Sequence, residues 1–296
     1  MSAPRTAWLY ALCVSACLEM DPATEGRLDR EKAIASLFVP LENGDFLFDS
    51  DVVLSPQDAA LLRDRLIYGE HALTRIGSED SGFFWDDNRR RSLGYCIVES
   101  TFPAEEVPLI REAVAFAATQ WEGAAGVDFI EQQTDGCLGP IETKAYFKII
   151  GSSKSYLVPG RAFFPPGSPA DVTSYDRSQT VELLWPSRYS SRYLEKFENS
   201  AQRAMNYVVA HELGHVLGFF HEWFNPHPAS PAWNRIPGEF PCDLGNEFTR
   251  SNLFGVTSYD PLSIMNYPHD KPCGTGAITE LSALVKRQQK LTLSRH

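Results

Sequence analysis

Residues Val208 to Glu222 read VVAHELGHVLGFFHE, and five positions in that stretch decide the fold: His211, Glu212, His215, Gly218 and His221. His211 and His215 are four apart, so on a helix both imidazoles leave the same face, one turn apart. Such a pair suits two positions of one tetrahedral zinc ion. Glu212 lies about 100° further round the helix and can reach a water on that metal. Gly218 permits the positive φ that lets a chain leave a helix sharply, which returns His221 as a third ligand. Three protein ligands leave one position for water, the catalytic rather than the structural arrangement of zinc. A pattern with five fixed residues over this span arises by chance in about one chain of this length in ten thousand.

The flanks of the motif predict a central helix. Val209, Leu213, Val216 and Phe220 form one apolar stripe, and Ala204, Val208, His211 and His215 another. Asn199, with Gln202 three residues on, reads as the helix start, and the helix is expected to run to about Phe219. Downstream, Ser258 to Tyr267 read SYDPLSIMNY.

An elongated histidine motif followed by a methionine turn resembles the metzincin metallopeptidases. Glu222 directly after the third histidine, with Ser263-Ile264-Met265 and Tyr267, resembles the astacin branch in particular. Asn266 stands where that branch usually has histidine, which suggests a divergent, bacterial member; this position is not expected to touch the metal. The resemblance spans residues 93–285, but its specific motifs cover only 211–222 and 258–267. It implies an α+β fold of metzincin type: a twisted mixed β-sheet, an active-site helix and a smaller C-terminal subdomain after the zinc-binding motif. It implies zinc on His211, His215 and His221, Glu212 as general base, and Met265 as an apolar floor beneath the ligands. Tyr267 would approach the zinc from the side and then stabilise the oxyanion. Glu222 would support the site or pair with a processed N-terminus. The activity implied is that of a zinc metalloendopeptidase cutting extracellular or envelope proteins. A catalytically silent surface binding protein of the same fold is the alternative.

The chain outside the motif organises around that reading. Ala7 to Ala16 is an apolar stretch of signal-peptide length, ending in Val14-Ser15-Ala16-Cys17, which resembles a lipobox. Residues 1–17 are therefore expected to be an export signal, with Cys17 a candidate for lipidation and membrane attachment. Residues 18–91 are expected to form a propeptide-like region and 92–296 the catalytic domain. The run Arg89-Arg90-Arg91 reads either as a processing site or as a solvated turn. Family propeptides carry a Phe-x-Gly-Asp type motif whose aspartate occupies the open position of the zinc. Phe48-Asp49-Ser50-Asp51 resembles it with serine for glycine, within the strand-like run Phe46 to Leu54; Leu41 to Asp45 is a second imperfect match. Asp51 is the favoured latch.

Four cysteines lie outside the signal: Cys96, Cys137, Cys242 and Cys273. An even number in an exported chain predicts two disulfides. Of three connectivities, Cys96–Cys137 and Cys242–Cys273 are preferred, because each pair brackets one coherent piece of chain. Between them, Pro103 to Trp121 reads as a helix stopped by Gly123, Tyr95 to Thr101, Val127 to Ile130, Tyr146 to Ile150 and Val181 to Leu184 as strands, and Arg161 to Phe164 as an edge strand on which an extended peptide could add.

Composition sets the outer limits. The chain has 296 residues, 43% hydrophobic and 22% charged, enough to bury a sizeable core and inconsistent with wholesale disorder. It contains no run of apolar residues long enough to span a bilayer. Its net charge of −11 argues against a nucleic-acid backbone as partner. A peptide or protein substrate, a monomeric state, and secretion or anchoring at the cell envelope are the expectations.

Overall fold

A computed structural model describes residue 35 and residues 37–48, 51–68, 85, 87–132, 145–154, 159–165, 179–221 and 263–265. The expectations for Cys17, Cys137, Glu222, Cys242, Tyr267, Cys273 and the C-terminal subdomain lie outside these residues.

The architecture is mixed α+β. Three short antiparallel strands come first: β1 (Phe38–Pro40), β2 (Phe46–Phe48) and β3 (Val52–Leu54), in the order β1-β2-β3. Gly44, at φ 91°, closes the turn between β1 and β2, with Leu41 N–H donating to Asp45 O at 2.8 Å. The expected single strand over residues 46–54 is instead two strands of a hairpin, Phe48 opposite Val52. Asp51 sits at a turn ahead of β3 rather than inside a strand. Helix α1 (Pro56–Tyr68) follows. Its first turn is capped by Ser55, whose Oγ accepts from Asp58 N–H at 3.1 Å.

The second sheet has five strands in the order β5-β4-β6-β8-β7: β4 (Leu93–Ile97), β5 (Phe129–Glu131), β6 (Phe147–Ser152), β7 (Gly160–Arg161) and β8 (Thr180–Leu184). Four are parallel, and β7 runs antiparallel on the edge beside β8. A one-turn helix, α2 (Asp87–Arg90), leads into β4, and α3 (Val107–Ala125) connects β4 to β5. Helix α3 ends at Gly126, in the left-handed region at φ 60°, and not at Gly123. Ala124 and Ala125 are buried, so packing carries the helix one turn past the first glycine. After β8 come α4 (Ser191–Glu195) and α5 (Ala201–Val216).

The N-terminus of α5 corrects the expected cap. Glu198 and Asn199 both have positive φ, which asparagine tolerates better than most residues. The capping side chain is therefore Ser200, whose Oγ accepts from Arg203 N–H at 3.2 Å. Gln202 instead bonds Leu109 O and Asn206 Oδ1.

Both faces of α5 are buried from Ala204 to Val216, apart from Asn206. Helix α3 lies against it, and the Trp121 indole N–H donates to Ala210 O at 2.7 Å. Trp85 belongs to the same core. Its ring meets Tyr146 and Phe163, and its indole N–H donates to Val216 O at 2.7 Å. The core thus begins before the expected boundary at residue 92. Arg90 is buried, and its carbonyl accepts from Asp128 N–H at 3.1 Å.

Candidate metal centre

The chain leaves α5 through a glycine turn. Gly218 has φ 91°, its N–H donates to His215 O at 2.8 Å, and Phe219 N–H donates to Gly214 O at 3.0 Å. These two bonds are a Schellman closure, and they satisfy carbonyls that a helix end leaves open. Helix regularity ends at Val216, so Phe219 and Phe220 lie in the exit turn. Phe219 stacks on Trp121 with ring centroids 5.4 Å apart, and the turn delivers His221 next to His211.

The three imidazoles converge through Nε2. His211 Nε2 lies 3.2 Å from His221 Nε2. Two of the rings are fixed from behind, since His211 Nδ1 meets Ile264 O at 2.8 Å and His215 Nδ1 meets Phe219 O at 2.7 Å. A carbonyl can only accept, so each Nδ1 carries a proton, and Nε2 is the nitrogen that faces the cluster. Burial lowers the pKa of His211 to about 4, against the opposing pull of the Asp51 carboxylate as an acceptor, which keeps that ring neutral near pH 7. Tyr207 stacks on the His211 ring at 5.9 Å.

Asp51 closes the cluster from the other side of the sequence. Its Oδ2 is 2.9 Å from His221 Nε2 and 3.4 Å from His211 Nε2, and its Oδ1 is 3.6 Å from His215 Nε2. One ligand atom from each of the four residues falls within 4.8 Å of all the others. Burial pushes the Asp51 carboxyl up, but the neighbouring His221 and His215 outweigh it and hold the carboxyl well below the usual range.

The backbone around Asp51 is tied to the sheet edge. Val53 N–H donates to Ala162 O at 2.6 Å, and Ala162 N–H donates to Asp51 O at 2.8 Å, a parallel bridge directly after β7. The expected edge at Arg161 to Phe164 therefore meets the chain's own N-terminal region. Arg161 pairs with Glu182 on β8.

Glu212 is buried beside the ligands, and its Oε2 has no hydrogen-bond partner among the described residues. Burial, reinforced by the Asp51 charge and opposed by Arg161, raises its pKa well above the ordinary carboxylate value. Gly160 makes this position available: a Cβ there would meet Glu212 Oε1 at 2.5 Å. Met265 packs against Gly214, where an added Cβ would meet its Sδ at 2.3 Å. The sequence pattern gives no site role to Gly160, Gly214 or Trp85, and places Phe164 on an edge strand and Phe220 in an apolar stripe without linking either ring to the ligands. Gly214 alone left a signal, a glycine inside a buried helix between two candidate ligands.

The donor set fits zinc. His215 Nε2 is buried without a hydrogen-bond partner among the described residues, while two further imidazole nitrogens and a carboxylate surround the same point. Three imidazoles and one carboxylate match the ligand types and the coordination number of that ion. Cys96 is buried and disulfide-bonded, and its partner lies outside the described residues.

No family model matches the sequence, and no curated protein matches it. Among solved structures, the chain is similar to myroilysin at 19% identity, over 72% of this chain and 97% of that one, with a TM-score of 0.43. It is also similar to high choriolytic enzyme 1, a hatching enzyme zinc-protease from the medaka fish Oryzias latipes, at 19% identity, over 71% and 94% of the two chains, with a TM-score of 0.41.

Proposed function

We propose that this chain is the latent form of an astacin-like zinc endopeptidase. The observation that carries the reading is the convergence of His211, His215 and His221 Nε2 with the Asp51 carboxylate, beside the buried carboxyl of Glu212. In this reading the three histidines hold one zinc ion, and Asp51 fills the fourth position until the N-terminal region is displaced. Bound there, zinc supplies a Lewis acid that acidifies water and polarises a carbonyl.

The remaining chemistry belongs to the protein. Glu212 takes a proton from the attacking water and returns it to the leaving amine nitrogen. The extended substrate takes over the main-chain bonds at Ala162 that Asp51 and Val53 now occupy. Tyr267 stabilises the oxyanion, Met265 supports the ligands from below, and Glu222 supports the site or pairs with the processed N-terminus. We further assign export to residues 1–17, lipidation to Cys17, and the pairings Cys96–Cys137 and Cys242–Cys273. No helix among the described residues is long and apolar enough to cross a membrane.

The test uses the zinc-loaded full chain and a set of quenched fluorescent peptides. Asp51→Ala should raise cleavage over the unaltered chain, and adding Glu212→Ala should lower it again by about 10²- to 10⁴-fold. Zinc content, measured on each sample, should survive the Glu212 change. Bound zinc with no cleavage by the Asp51→Ala chain would favour the silent binding protein. Folded protein that takes up no zinc would overturn the metal site itself.

A further inference from the structure

Phe48 precedes Asp51 by three residues, and the two side chains dock together. The Phe48 ring is 1% exposed. It meets Phe220 edge-on at 6.0 Å and Phe164 at 6.4 Å, and those two rings lie 4.4 Å from each other. Phe164 also touches the His215 ring at 5.7 Å.

Two walls of this pocket therefore belong to the elements that build the candidate metal centre. Phe164 follows Ala162, the residue whose N–H and C=O both pair with residues 51 and 53. Phe220 immediately precedes His221. The third ring, Phe48, comes from the N-terminal region. When that region is displaced, the packed pair Phe164 and Phe220 loses the ring that lies against both of them, next to the ligands and next to the main-chain edge. Two aromatic walls favour an apolar occupant of matching size, and aromatic pairs favour the tilted geometry already present there.

We propose that Phe164 and Phe220 form a specificity pocket that takes an aromatic side chain of the peptide substrate beside the scissile bond, with Phe48 as its occupant in the latent chain. This rests on the peptidase reading and adds to it the class of substrate side chain.

The experiment uses the zinc-loaded full chain carrying Phe48→Ala and Asp51→Ala, to vacate both seats, and Glu212→Ala, to prevent cleavage. Calorimetry then compares acetylated alanine hexapeptide amides in which one phenylalanine is moved along the sequence. One position should bind about tenfold or more tighter than the all-alanine peptide, the scale of a well-fitted apolar group. Phe164→Ala should remove that gain, measured against the all-alanine peptide on the same variant. Phe220→Ala, at a half-buried position, should do the same if Phe164→Ala fails to fold. Equal binding at every position, or a gain that survives both changes, would overturn the pocket. Restoring Glu212 separates this claim from the one beneath it. A favoured peptide that binds and is never cut counts against the peptidase, while cutting without aromatic preference counts against the pocket.

Discussion

The two sheets differ in how they are held to the candidate metal centre. The five-stranded sheet and its helices share one core with the ligands: Trp121 and Trp85 reach the carbonyls of α5, and Met265 seats on Gly214. The three-stranded sheet packs its own Phe48, Val52 and Leu54 outside that core cluster, with α1 alongside. It meets the larger body at the ligands themselves, through Asp51, the bridge at Ala162 and the Phe48 ring. One region is built into the site, and the other is docked on it. The proposed latency requires that the docked region leave while the ligand geometry stays in place.

Trp85 tests where the built-in region begins. It lies seven residues ahead of the expected boundary at residue 92, yet it is buried in the large core and satisfies Val216 O at the end of α5. Trp85→Ala in the full chain should cost about 3–5 kcal/mol, the range for deleting a buried large aromatic, measured by denaturant unfolding. The same residue should matter to where processing can occur. A chain beginning at Trp85 should unfold with nearly the stability of the larger body, and one beginning at residue 92 should lose the Trp85 contribution. Equal stability of these two chains would break the distinction, because it would place Trp85 with the docked region.

A smaller effect is expected inside the built-in region, at Gly214. An added methyl would meet Met265 Sδ at 2.3 Å and Trp121 Cζ2 at 2.9 Å. Gly214→Ala should therefore cost about 1–3 kcal/mol, as overpacking of a filled core does. It should also lower zinc affinity, because Gly214 sits between two of the candidate ligands. Adding Met265→Ala should return part of the loss, and the double-mutant cycle should show coupling of about 0.5–3 kcal/mol. Independent effects would mean that Met265 does not press on the helix.

How much of this was legible follows from what local patterns encode. Helical spacing alone placed His211 and His215 on one face and Glu212 beside them, because period 3.6 is a local property. Gly218 and His221 followed for the same reason, since a glycine exit is a local turn. Asp51 was singled out through a short resemblance and not through geometry, and its seat against the histidines depends on pairing between residues far apart in the chain. The close approaches at Gly160 and Gly214, and the carbonyls taken up by Trp85 and Trp121, left little in the pattern because they are contacts between distant segments. Local signals also misled where two candidates stood side by side. Gly123 offers a stop although Gly126 is the one with positive φ, and Asn199 offers a cap although Ser200 makes the bond. Burial of Ala124 and Ala125 carries the one helix past Gly123, and the positive φ of Asn199 leaves the other cap to Ser200.

The two serine caps give the smallest and sharpest separation of the regions. Ser55 opens α1 in the docked part, and Ser200 opens α5 in the built-in part. The two bonds are alike, each from a main-chain N–H three residues on to a serine oxygen, at 3.1 and 3.2 Å. Each alanine substitution should cost about 1 kcal/mol locally. Their reach should differ. Ser200→Ala loosens the start of the helix that carries two ligands, so amide exchange should quicken in α5 and in α3 packed against it, and zinc affinity should fall. Ser55→Ala should quicken exchange in α1 and the three-stranded sheet and leave α3 and α5 unchanged. The Ser55 change should also raise the activity of the full chain slightly, because a less stable docked region spends more time away from the site. If both changes spread through both regions, the two sheets unfold as one cooperative unit, and displacement of the N-terminal region could not proceed without disturbing the ligands.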